Sequence, residues 1–240
     1  MKRIFDEFIK GGNVDLYNKF VEKWWFILIL IGVIALIVVG TVLISKKLSK
    51  NKTEDIETAR PAKKSKFSPR MLVTGAMCIG LAFILSYIKI WDMPLGGAIT
   101  PASGLPIILF AYIYGWQPGL VVSFTYSILQ ILQAPNHIMS FPQALLDYVI
   151  AFTVLAVAGF FKKNKTIVPA VICAYVLRYL AHVLAGILWY QEYNETSFSG
   201  IPYCFIYNAV FLLPELIICI IIVVIPPMSK AIERLKKQYA

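Results

Sequence analysis

Residues 166–190 read TIVPAVICAYVLRYLAHVLAGILWY. About twenty apolar residues at 1.5 Å each span the roughly 30 Å hydrocarbon core of a bilayer. This run is long enough to do so, and Arg178 and His182 are its only basic residues. A charged group inside a span costs about 2.5–3.5 kcal/mol on insertion scales, so each needs a partner or a task. The segment therefore predicts a membrane helix with chemistry inside it. Working outward, comparable runs predict helices at about 71–90, 98–115, 119–134, 141–161 and 201–227. A further uninterrupted run, 25–45, is too long for a signal-peptide core and lacks an A-x-A-like site after it, so it reads as a retained helix.

Composition agrees. Of 240 residues, 59% are AVILMFWYC and 15% are charged, whereas soluble chains run near half and a quarter. The expected fold is an all-α polytopic membrane protein, a six-helix bundle with one extra N-terminal transmembrane helix. Its expected organisation is an amphipathic leader and extra helix (1–45), a basic linker (46–70), a six-helix substrate-binding domain (71–228) and a basic tail (229–240).

The net charge of +10 would suggest nucleic acid in a soluble chain. Here its placement explains it. The linker, the turn at 162–165 and the tail (Lys230, Arg234, Lys236, Lys237) fall on one side of the membrane, while loops 91–97, 134–140 and 191–200 hold no Lys or Arg. Short cytoplasmic loops are enriched in these residues, so linker and C-terminus are expected in the cytoplasm, in a multi-pass protein of the plasma membrane with no nucleic-acid partner. Cys78, Cys173, Cys204 and Cys219 all lie in expected spans without C-x-x-C spacing, which indicates neither a disulfide framework nor a metal site.

The other polar groups inside the spans are few: Asp147, Glu215, Asn208, Gln143 and Gln130. Asp147 lies about 9 Å, and Asn208 about 10 Å, from the outer starts of their helices. His182 is two turns in from Tyr190, which places polar groups of three helices at one level in the outer half. His182, Gly186, Trp189 and Tyr190 follow i, i+4, i+7, i+8 spacing, Tyr148 adjoins Asp147, and Tyr203 opens the last helix. An acid among aromatic faces suits a small organic cation, and Gly186 leaves room for a ring against the backbone. Alternatives stand beside this reading: Trp189 and Tyr190 as an interfacial belt, Asn208 as a bond between helices, Asp147 as the ion partner of Arg178. Arg178 and Glu215 lie deeper and are expected to pair structurally, with a proton-coupling Glu215 as the rival role. Ala76 and Gly80 form a small-xxx-small pair that serves either internal packing or a partner helix.

The chain carries no P-loop, H-E-x-x-H or G-x-S-x-G motif, which favours transport or binding over an enzyme.

From about residue 69 to 225 the chain resembles the thiamine-specific S components of energy-coupling factor (ECF) transporters, membrane subunits that capture vitamins in Gram-positive bacteria. The resemblance rests on AMCIGLAFILS (76–86), FPQALLDY (141–148), RYLAHVLAGILW (178–189) and YCFIYN (203–208). It implies a six-helix bundle with an outward-facing pocket, no cofactor in this chain, and ATP hydrolysed by partner subunits, namely two ATPases joined through a transmembrane coupling subunit. The family's pocket acid, usually Glu, falls on Asp147, its tyrosine on Tyr148, its histidine on His182 and its glycine on Gly186. Its last-helix tyrosine and asparagine fall on Tyr203 and Asn208. A stacking Trp aligns with Tyr190, beside Trp189, and another tyrosine aligns with His137. The coupling-subunit docking motif falls on Ala76 and Gly80. The resemblance thus implies thiamine uptake from outside. A thiamine precursor or another vitamin, a stand-alone proton-coupled carrier and a membrane scaffold are the competing readings.

Overall fold

The computed structural model describes residues 68–93, 96–134, 138, 141–161, 166–189 and 201–239. The leader, the 25–45 run and almost all of the basic linker lie outside the described residues. So do His137, Tyr190 and the side chain of Trp189.

Helix α1 (Pro69–Tyr87) starts where Ser68 stops being helical: the Ser68 hydroxyl accepts from the Met71 N–H at 3.3 Å, and Pro69 occupies the first turn, where its missing N–H costs nothing. A short hairpin follows, β1 (Trp91–Asp92) antiparallel to β2 (Ala98–Ile99), with Trp91 opposite Ile99 and Asp92 opposite Ala98. Helix α2 (Leu105–Tyr114) is buried on nearly every side. Its ten residues reach about 15 Å, half a bilayer core. The helix expected over 98–115 is thus replaced at its outer end by a strand and a loop, because residues 100–103 turn to wrap the carboxylate of Glu215.

Gly115, at φ 98°, reverses the chain into α3 (Trp116–Gln133). A left-handed corner of this kind favours glycine. Helix α4 (Phe141–Phe160) changes pitch along its length. An α turn to Ala144 gives way to a π segment (Leu145–Ile150), then α again, then 3-10 winding from Val154 to Phe160. At Gly159 a Cβ would collide with the Trp116 amide and the Gly115 carbonyl carbon, so backbone meets backbone at this corner. Helices α5 (Ile167–Trp189) and α6 (Ile201–Val224, with Pro214 inside it) pack against each other, and α5 also packs on the 3-10 end of α4.

The last span ends at Val224, three residues short of the expected boundary, and the segment expected only as a basic tail is a helix, α7 (Pro226–Tyr239). It docks through Ile232 and Lys236, both 3% exposed. The Lys236 ammonium sits 3.1 Å from the centroid of the Tyr112 ring and donates to the Phe161 carbonyl. Burial pushes its pKa down to about 7.

Four described helices, α1, α4, α5 and α6, are long and apolar enough to cross a membrane. Their outer faces are apolar, with Leu72, Val73, Met77, Leu81 and Ile84 exposed on α1 and Leu213, Ile217 and Ile221 on α6. In water such surfaces would aggregate, whereas in lipid they are solvated.

Candidate ligand-binding site

A cavity of about 320 Å³ opens between the hairpin and the halves of the helices nearest to it. This is within the range of small-molecule sites. Asp147 and Tyr148 from α4, His182 and Gly186 from α5, and Tyr203 and Asn208 from α6 all line it. Six residues nominated from sequence thus meet in one space.

Asp147 sits in the π segment, where a wider turn re-aims side chains relative to a regular helix. One carboxylate oxygen accepts from the Gln143 amide at 2.7 Å, and the other lies 3.1 Å from His182 Nδ1. An ionised carboxylate only accepts, so Nδ1 carries the proton in this contact. In the neutral ring His182 Nε2 is then an acceptor, and it is buried with no partner among the described residues. No Lys or Arg lies within salt-bridge distance of Asp147 among the described residues, which removes the Asp147–Arg178 ion pair from the alternatives.

Aromatic walls flank this dyad. Phe152 and Phe211 meet the His182 ring edge-to-face at 6.2 and 5.8 Å, and the Tyr203 and Tyr207 rings stack at 5.6 Å. Tyr207 also accepts from the Gly97 N–H at 2.9 Å, fixing the hairpin over the cavity. Tyr207, Phe211 and Phe152 were not singled out from sequence. The i, i+4, i+8 spacing of Tyr203, Tyr207 and Phe211 is a signal that could have found two of them. Phe152, five residues after Asp147 and just beyond the π segment that holds it, shares the cavity with it.

Two expectations change in detail. The Asn208 amide donates to the Cys204 carbonyl of its own helix at 2.8 Å. At Gly186 an added Cβ would lie 3.2 Å from Cys204, so this glycine also sets how closely α6 approaches α5.

Deeper in the bundle Arg178 and Glu215 pair at 3.2 Å, as their depth suggested. The other Glu215 oxygen accepts from the Thr100 hydroxyl (2.6 Å), the Ser103 hydroxyl (2.9 Å) and the Ser103 N–H (3.1 Å). The Arg178 guanidinium lies 4.4 Å over the Phe152 ring. On α1, Ala76 and Gly80 face outward, and a Cβ on Gly80 would meet nothing within 4 Å. Gly75 is the inward residue, where a Cβ would crowd Val122 at 2.9 Å. Between the two readings of the small-xxx-small pair, its use in packing among the described residues is therefore ruled out.

Bundle, cavity and dyad together define a multi-pass membrane protein with an internal small-molecule site. Residues 72–234 match the thiamine transporter protein family, and the chain belongs to that family. Among its relatives is the thiamine transporter ThiT of Bacillus subtilis (strain 168), 28% identical over 167 residues, which span 63% of this chain and 86% of the relative. The fold matches a solved structure of ThiT from Listeria monocytogenes with a TM-score of 0.59 at 20% identity, covering 71% of this chain and 97% of that one.

Proposed function

We propose that this chain binds thiamine in the cavity around Asp147 and delivers it inward as the substrate-capturing subunit of an ECF-type importer. One observation carries the reading: Asp147 brings a carboxylate, with no Lys or Arg within salt-bridge distance among the described residues, into an aromatic-walled cavity. Thiamine carries a fixed thiazolium cation, which a carboxylate and ring faces stabilise together. Its aminopyrimidine offers hydrogen bonds to Asn208 and Tyr203. Tyr148 supplies a wall. Trp189, Tyr190 and His137 are proposed as further ligand contacts, and the 91–97 loop to close over the ligand.

The chain has no P-loop, so the energy for release is proposed to come from two ATPase subunits through a transmembrane coupling subunit. No cofactor is assigned to this chain itself. The bare strip at Ala76 and Gly80 fits a coupling helix. The linker and α7 are assigned to the cytoplasmic side of the plasma membrane.

Equilibrium binding to purified protein tests the site. Thiamine should bind the wild type and bind Asp147→Ala at least tenfold more weakly, and equal affinities would reject the assignment. Uptake in proteoliposomes tests the coupling. It should require the partner subunits and ATP, and Gly80→Leu should abolish uptake while leaving binding intact. Accumulation by the isolated chain under a proton gradient would instead identify a stand-alone carrier.

A further inference from the structure

The side of the cavity formed by α1 and α3 is chemically unlike the Asp147 side. It holds a neutral cluster: the Ser86 hydroxyl lies 2.8 Å from Gln133 Oε1 and 2.6 Å from the Phe83 carbonyl, and Gln130 Nε2 donates to Ser86 Oγ at 3.1 Å. Ser86 is 7% and Gln130 8% exposed, and both line the cavity with Gln133. A serine has one proton. It goes either to Gln133 Oε1 or to the Phe83 carbonyl, and in the second case the Gln133 amide turns over and donates to Ser86 instead. In both arrangements Gln130 Oε1 and one atom of the Gln133 amide have no partner among the described residues. A ligand hydroxyl satisfies the first arrangement in full, donating to Gln130 Oε1 and accepting from Gln133 Nε2, and in the second it donates to one of the two free amide oxygens. An anionic group does not, and the two cations lining the cavity, Arg178 and Lys89, are already paired with Glu215 and Asp92.

We propose that Ser86, Gln130 and Gln133 form a hydroxyl-reading subsite that takes the uncharged alcohol end of the ligand. The inference rests on the thiamine reading above: with the cation and the aminopyrimidine assigned to the α4–α6 side, the hydroxyethyl group is the polar end left over. The cluster then selects the free alcohol over its phosphate ester.

The test compares thiamine, an analogue whose hydroxyethyl group is replaced by ethyl, and the monophosphate ester, on the full-length protein. The wild type should bind the ethyl analogue and the ester each several-fold to about tenfold more weakly than thiamine, the size of one neutral hydrogen bond. Gln133→Leu should bind thiamine and the ethyl analogue alike, with an unchanged melting temperature. Gln130→Met carries the same comparison should Gln133→Leu fail to fold. Equal wild-type affinities for thiamine and the ethyl analogue overturn the proposal. So does a variant that weakens both by the same factor while lowering the melting temperature, which identifies a clamp between α1 and α3. A wild type that binds none of the three ligands overturns the thiamine reading itself.

Discussion

Two carboxylates in this bundle meet a basic side chain at almost the same distance, Glu215 with Arg178 at 3.2 Å and Asp147 with His182 at 3.1 Å, yet their surroundings differ. The Glu215 side chain is 1% exposed, and both of its oxygens are engaged, by four donors from the 100–103 loop and α5. The Asp147 side chain is 19% exposed to the cavity, and its histidine partner holds an acceptor that nothing described satisfies. Each pair leaves one ring or guanidinium nitrogen without a partner among the described residues, Arg178 Nε and His182 Nε2, so the contrast lies in the carboxylates: Glu215 is sealed among four donors, whereas Asp147 has two and faces the cavity, where a ligand can reach it. Exposure of the carboxylate to the cavity, more than charge or distance, separates the two pairs.

The comparison can be broken first at its sealed end. Glu215→Ala leaves a buried guanidinium unpaired and should cost about 3–5 kcal/mol of stability, read as a large fall in melting temperature or in folded yield. Replacing both members by apolar residues of similar size, Arg178→Met with Glu215→Leu, should recover most of that loss, since it leaves no charge stranded. If the double variant is as unstable as the single one, the pair does more than hold helices together.

The open end should respond the other way. Asp147→Asn keeps the shape but removes the charge, and thiamine affinity should drop by roughly 2–3 kcal/mol, about 30- to 150-fold. Its melting temperature without ligand should stay close to that of the wild type. A variant that unfolds but binds normally would erase the distinction between the two pairs. His182→Ala removes a neutral hydrogen bond and should weaken thiamine by about 0.5–1.5 kcal/mol, a several-fold change in the same binding assay.

A third buried basic group, on α7, lies away from both pairs. Undocked, Lys236 has its ordinary pKa of 10.5, and docked it titrates at about 7. Between these values the undocked state holds the extra proton, so docking of α7 should tighten as pH rises from 7 towards 10.5. Hydrogen exchange over residues 226–239, corrected for intrinsic rates, should show protection growing between pH 7 and 9. Lys236→Met should flatten that dependence.

Much of this molecule was legible without coordinates because lipid is a severe solvent. Every span must be apolar and helical, which makes 69–87, 141–160, 167–187 and 202–224 visible by length and hydropathy. Every polar group left inside is conspicuous because it is costly, and so Asp147, His182, Asn208, Arg178 and Glu215 could be named in advance.

Pitch, partners and pairing were not legible. The π segment at Asp147 and the short α2 depend on what the neighbouring backbone must reach, and no local propensity announces them. The amphipathic order of α7 appears only once Tyr112 and the Phe161 carbonyl are there to receive Lys236. Hydropathy identified which side chains needed partners, whereas tertiary packing decided that Glu215 would have all of its own and Asp147 would keep a face open to the cavity. The physical reason is that a cost of burial belongs to a residue, while its relief belongs to a pair.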